Sequence, residues 1–108
     1  MSYRILLTPP AEEQLRAASS WWQENRLASP GLLVEELDRA IEMLRELPGL
    51  GARFHRGTIP GVRRVLLRRS GYWVYYLPDE ARAVVYVLAV WSGRRGTAPR
   101  LGSPKREV

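Results

Sequence analysis

The 108 residues are 45% hydrophobic and 26% charged and include no cysteine, which suits one domain with a core of its own and excludes a disulfide framework or a thiolate metal site. No apolar run is long enough to cross a membrane, and the N-terminus lacks a signal peptide's apolar region and cleavage site, so a cytoplasmic protein with no membrane partner is expected. The net charge of +6 is segregated: residues 1–50 sum to −3 and residues 51–108 to +9, and a basic half of this kind implies an acidic partner such as nucleic acid, ribosome or an acidic protein segment. The plain alternative is an arginine preference on a merely soluble surface, though preference alone does not segregate charge.

Residues 3–7 form a short apolar run, a first strand, ending at Thr8. Thr8 is a good N-cap, Pro9 suits the first helical position, and Glu12 and Glu13 fall where the helix dipole favours them. Ala11, Leu15, Ala18 and Trp22 recur on one stripe, which predicts a helix over 9–25. Trp21 lies off that stripe, either at the edge of the core or as an interaction handle. Ser29-Pro30 repeats the cap-then-proline signature and predicts a second helix with Leu33, Leu37, Ile41, Leu44 and Leu47 facing inward, and a short connection makes the pair an antiparallel hairpin. Pro48 to Gly51 stops that helix, and a loop over 52–61 holds Phe54, the single histidine His55 and the turn Ile59-Pro60-Gly61.

From Val62 to Arg95 three runs rich in β-branched and aromatic residues read as an antiparallel meander, with Ser70-Gly71 as a two-residue hairpin turn. Alternation places Tyr72, Val74 and Tyr76 on one face of the middle strand and Trp73, Tyr75 and Leu77 on the other. In the last strand Val84, Tyr86, Leu88 and Val90 oppose Val85, Val87, Ala89 and Trp91. Both faces are apolar, so helices on one side leave a second face that calls for a bound partner. Residues 102–108 read as a flexible basic tail after a single domain over 1–101.

The opening Tyr3-Arg4-Ile5-Leu6-Leu7-Thr8-Pro9 with Ala11 and Leu15, Leu47-Pro48-x-x-Gly51, Pro60-Gly61-Val62-Arg63, Gly71-Tyr72-x-Val74-x-Tyr76 and Val90-Trp91-x-Gly93-x-Arg95 follow one another in an order that resembles the RelE/ParE superfamily of toxins from bacterial type II toxin-antitoxin modules. The resemblance implies an α+β fold of order β-α-α-β-β-β, an antiparallel helical hairpin packed on a small, mainly antiparallel twisted sheet. It also implies a cognate antitoxin whose segment folds on the toxin in a hetero-oligomer, with Arg63, Arg64, Arg68, Trp73 and Tyr75 as its expected contacts. No cofactor and no metal are expected.

Two activities are found in such a superfamily. A RelE-like, ribosome-dependent mRNA endonuclease would draw on Arg63, Arg68, Tyr75, Arg94 and His55, but guanidinium is a poor general base, and residues 92–108 contain no Tyr, His or Asp. His55 stands alone in its loop, and Tyr75 reads as well as cross-strand packing against an arginine, beside Arg63 or Arg94. A ParE-like toxin binds DNA gyrase and needs a surface rather than a base. The Val-Trp-x-Gly-x-Arg exit resembles that branch, with Trp91, Arg94 and Arg95 as target contacts, although Trp91 serves equally as core closure against the helices. A third reading is a non-catalytic RNA-binding module that stacks bases on the aromatic sheet.

Overall fold

The computed structural model describes residues 2–104. The chain runs β1 (Arg4–Leu7), α1 (Pro9–Asn25), α2 (Leu32–Glu46), β2 (Ala52–Arg53), β3 (Arg63–Leu67), β4 (Tyr72–Asp79) and β5 (Val84–Ser92), followed by one 3-10 turn, Gly93–Arg95. The sheet order is β1-β5-β4-β3-β2. β1 runs parallel to β5 and every other neighbouring pair is antiparallel. This is the expected α+β architecture, with β2 as a short addition inside the stretch expected to be loop.

Thr8 fastens the first helix through a single hydroxyl. Its Oγ1 accepts from Ala11 N at 3.4 Å and donates to Val87 O at 3.0 Å, so the cap of α1 is also tied to β5. Ala11, Ala18 and Trp22 are the buried stripe of α1, and Leu33, Leu37 and Leu44 that of α2. All but Leu44 close over Leu67, Tyr72, Val74, Val87 and Val90 on one face of the sheet, and Leu44 packs with Tyr76 and Val85.

Two details of the second helix differ from expectation. Ser29-Pro30 does not cap it: α2 begins at Leu32 behind Gly31, with no side-chain cap. The Ser29 carbonyl instead accepts the Trp22 indole N–H at 2.8 Å and Leu32 N at 3.2 Å, so the turn serves to hold α1 against α2. Leu47 is 57% exposed because the helix ends at Glu46 and the chain leaves the helical path there.

The β3–β4 connection has four residues, 68–71, rather than two, with Leu67 opposite Tyr72. Glu36 stabilises it from α2, its two carboxylate oxygens accepting from Arg69 N at 2.9 Å and Ser70 N at 2.7 Å. Burial works to raise the Glu36 pKa, but these hydrogen bonds and the Arg69 charge hold it below its ordinary value.

In β4 the predicted alternation holds, whereas in β5 it breaks. Tyr75 pairs with Ala89 and Tyr76 with Val87, so Leu88 is an extra, bulged residue. Beyond it every side chain changes face: Val90 joins Val87 under the helices, and Trp91 turns to the opposite face with Tyr86 and Leu88. Trp91 is therefore not a closure against the helices.

The second face is not bare either. Phe54, Val62, Tyr75, Leu88 and Ala89 form a core there, with Ile59, Leu77, Tyr86 and Leu101 packed on it, so the loop after β2 and the segment after β5 cover much of the sheet. Pro99 and Pro104 are buried, and residues 105–108 of the expected tail lie outside the described residues.

Along the outer edge, β2 pairs only with Arg63 and Arg64. The edge of residues 65–67 faces a groove lined by Ala40, Met43, Leu50 and Arg68. Just before β2, Gly51 N donates to the Tyr76 hydroxyl at 2.8 Å. A Cβ at Gly51 would stand 2.6 Å from Arg64 O and 2.7 Å from that hydroxyl, so only glycine fits. Burial pushes the Tyr76 phenol pKa up, against the hydrogen bond from Gly51 and the Arg63 charge, which pull it down.

Candidate functional site

The four-residue turn fixes the register of β3 on β4, and the bulge fixes that of β5, and together they assemble a cationic, aromatic cluster on the face away from the helices. Arg64 lies opposite Tyr75 and Trp73 opposite Trp91. The Arg64 guanidinium stacks over Trp73 with 4.0 Å from its central carbon to the ring centroid, lies 5.4 Å from the Phe54 centroid, and donates to the Tyr75 hydroxyl at 3.2 Å. Arg95 stacks over Trp91 at 4.1 Å, and the Trp91 indole donates to Thr97 O at 2.7 Å. Between the two tryptophans and the loop from Ser92 to Ala98 lies a cleft of about 140 Å³, with Arg56 and Arg64 in its wall and no Asp, Glu or His among its lining residues. Gly93 lets the loop approach: a Cβ there would meet Gly71 O at 2.9 Å and Trp73 Nε1 at 3.3 Å.

Other residues singled out in the sequence lie elsewhere. Arg63 points to the helix side, where its Nη1 donates to Gly51 O at 2.7 Å and Gly49 O at 3.2 Å and clasps the turn before β2. Arg68 is exposed on the β3–β4 turn. Arg94 and Arg95 both border a separate groove against α1, lined also by Glu13, Gln14, Trp21, Tyr72 and Val90. The Trp21 indole, 43% exposed there, carries Arg26 over its ring at 5.0 Å. His55 is exposed in the loop after β2, beside a hollow it shares with Arg53, Arg63 and Glu80. Arg63, Tyr75 and Arg94 consequently do not converge, and the arginine beside Tyr75 is Arg64.

The expected hairpin turn hid that partnership. A turn at Ser70-Gly71 would set Leu66 opposite Tyr75, while the longer turn slides β3 by two residues and delivers Arg64. Arg56 was missed because nothing local in the loop tells where it folds, and the Glu36 clamp because it spans 33 residues of sequence to Arg69.

Chemically the cluster can hold negative charge. Among the described residues the ion pairs are Arg45–Glu42 and Arg82–Asp79, so Arg56, Arg64 and Arg95 have no carboxylate partner. Tyr75 is 1% exposed beneath Phe54, whose ring meets it edge-on at 5.0 Å, so its phenol supports Arg64 from inside the protein. No group of three or more His, Cys, Asp or Glu residues that could hold a metal ion occurs among the described residues, and among them no helix is long and apolar enough to cross a membrane.

Solved structures that share this fold are toxins of toxin-antitoxin systems. The chromosomal ParDE system from P. aeruginosa matches with a TM-score of 0.66 at 16% identity, over 84% of this chain and 96% of that one. A mutant of E. coli RelE in complex with a peptide of its antitoxin matches with a TM-score of 0.63 at 20% identity, over 94% and 100% of the two chains. The intact E. coli RelBE complex matches with a TM-score of 0.59 at 22% identity, over 92% and 100%. No curated protein matches the sequence. The family model described as the ParE toxin of the type II toxin-antitoxin system parDE matches residues 5–96. The chain belongs to that family and is a type II toxin of the ParE/RelE group.

Proposed function

We propose that this toxin arrests bacterial growth in the cytoplasm by binding DNA gyrase, in the manner of ParE, and that a cognate antitoxin neutralises it. The observation that carries the gyrase reading is the composition of the cationic cleft: Arg56, Arg64, Trp73 and Trp91 line it, with Arg95 stacked on Trp91, no carboxylate or imidazole lines it, and its one phenol, Tyr75, is 1% exposed and engaged by Arg64. Such a surface binds anionic or polarised groups and lacks an accessible general base. In this reading Trp91, Arg94 and Arg95 meet the target. Arg64, Arg68 and Trp73 meet the antitoxin, with Tyr75 and Arg63 holding that surface in place. Two of the matching structures hold E. coli RelE together with its antitoxin or an antitoxin peptide, which supports a partner of that kind here.

A RelE-like, ribosome-dependent nuclease is the second reading, and the hydrogen bond from Arg64 to the Tyr75 hydroxyl speaks for it, because it sets a guanidinium against the phenol that lines the cleft. Two assays on the purified protein separate them: trapping of cleaved plasmid by gyrase, and cleavage of mRNA on ribosomes. The first is expected to be positive, and mRNA cleavage with no effect on gyrase would reverse the assignment. In cells, induction alone should arrest growth and the neighbouring small reading frame should restore it. Arg94→Ala with Arg95→Ala should weaken that arrest while changing stability by less than about 1 kcal/mol, as expected for exposed charges, and a large fall in melting temperature would make these arginines structural.

A further inference from the structure

We infer that the hollow between the loop of residues 55–61 and the β4–β5 turn is a binding site for a small phosphorylated ligand with a planar ring, of the nucleoside phosphate class. The hollow shares no lining residue with the tryptophan cleft, and the inference does not depend on the gyrase reading.

Three features point to such a ligand. The first is an unresolved repulsion. Arg53 on β2 lies directly opposite Arg63 on β3, and like charges at facing positions destabilise a sheet unless something neutralises them. Neither arginine belongs to an ion pair among the described residues, although Glu80 lines the same hollow. Among those residues the Arg63 guanidinium is engaged through Nη1 alone, on Gly51 O and Gly49 O, which fixes its plane and leaves Nη2 for an anionic oxygen. His55 adds an imidazole to the lining.

The second feature is the space itself. Its volume is about 480 Å³, within the range of roughly 300–1,000 Å³ usual for small-molecule sites, and Ile59, Pro60 and Pro78 give it an apolar wall on which a ring can lie. The loop that forms this wall is built in advance: Phe54 N donates to Val62 O at 2.8 Å at its base, Gly61 turns the chain at a φ of +86°, and Ile59 packs on the core of the second face. The third feature is Glu80. A carboxylate in the same hollow as two guanidiniums opposes a continuous strand of phosphates and a bare inorganic anion alike, but it accepts hydrogen bonds from the hydroxyls of a ribose or the N–H groups of a base. A ligand with an anionic end, a ring and donor groups meets all three demands at once.

The test is isothermal titration of the full-length protein with ADP and GDP, and separately with inorganic phosphate, adenosine and guanosine. The single histidine lies in this loop, so its ring C–H resonances report by NMR whether binding occurs there. At least one nucleotide should bind about tenfold or more tighter than phosphate or its own nucleoside, and should shift the His55 signals. Arg53→Gln, at an exposed strand position, should weaken that nucleotide about tenfold, the loss expected for one charge-assisted contact. Glu80→Gln should weaken the nucleotide about threefold and leave inorganic phosphate no weaker. Arg16→Gln, at an exposed position on α1, removes the same charge as Arg53→Gln and should leave nucleotide affinity within about twofold. Failure of both nucleotides to bind, equal losses for Arg53→Gln and Arg16→Gln, or phosphate bound as tightly as the nucleotides would each overturn the inference. Binding that leaves the His55 signals in place would overturn it too. Gyrase trapping is measured apart from these titrations, so either conclusion can fail while the other stands.

Discussion

The two faces of the sheet are made from equally apolar strands, yet they are closed by different means. Under the helices, Trp22, Leu33 and Leu37 meet Tyr72, Val74 and Val87, and the polar groups nearby are spent internally: Thr8 on β5, Tyr76 on Gly51, Glu36 on the β3–β4 turn. On the opposite face a loop and the segment after β5 cover the middle with Phe54 and Leu101, while Trp73 and Trp91 remain half-exposed under arginines that have no carboxylate partner among the described residues. The difference teaches where stability and function are kept. One side spends its polar groups on its own elements, the buried Ser70 hydroxyl excepted, and the other holds its cations in place without pairing them.

Substitutions can break this contrast at its strongest point first. Trp22→Ala removes a nearly sealed indole and its hydrogen bond to Ser29 O, and should destabilise the protein by about 3–5 kcal/mol in chemical denaturation. A loss below about 1 kcal/mol would mean that the helix face is not the main core. Tyr76→Phe leaves the buried Gly51 N–H without its acceptor and should cost about 1–3 kcal/mol with the site cluster on the other face intact. Retained stability there would show that water or another group takes the place of the hydroxyl. The smallest effect is expected at Glu36. Its folded-state pKa is lowered, so its contribution is present above the ordinary carboxylate range and is lost as pH falls through the lowered value. Glu36→Ala should therefore lower the melting temperature at neutral pH, and the gap from wild type should close in acid. A gap that persisted unchanged at low pH would show that the clamp does not depend on the carboxylate charge.

Much of this was readable from residues alone, and the failures share a cause. The first helix is specified locally, by Thr8-Pro9 at its start and a stripe of Ala11, Leu15, Ala18 and Trp22, and it runs over the residues expected. What went astray depends on counting across a turn or a strand pair. Ser29-Pro30 has a cap's appearance, but the Ser29 carbonyl is claimed by a distant indole. The β3–β4 turn is two residues longer than its Ser-Gly signal suggests, because Glu36 from another element satisfies its backbone. The bulge at Leu88 leaves no mark in a run that is hydrophobic on both faces, so the side taken by Trp91 could not be read from alternation. The site's residue types were visible in the sequence, but their meeting was fixed by register.

The short β2 carries one more consequence. On its side away from β4, the edge of residues 65–67 meets no other strand among the described residues, which makes it a template for a second copy, and Leu66 there is 40% exposed. Arg63 and Arg64 precede that edge and Arg68 and Arg69 follow it. Two copies approaching edge to edge would bring these like charges together, which disfavours sheet-to-sheet growth of the free toxin. The same repulsion should fade as salt rises, so the isolated protein should remain dispersed at low ionic strength and begin to self-associate at high ionic strength.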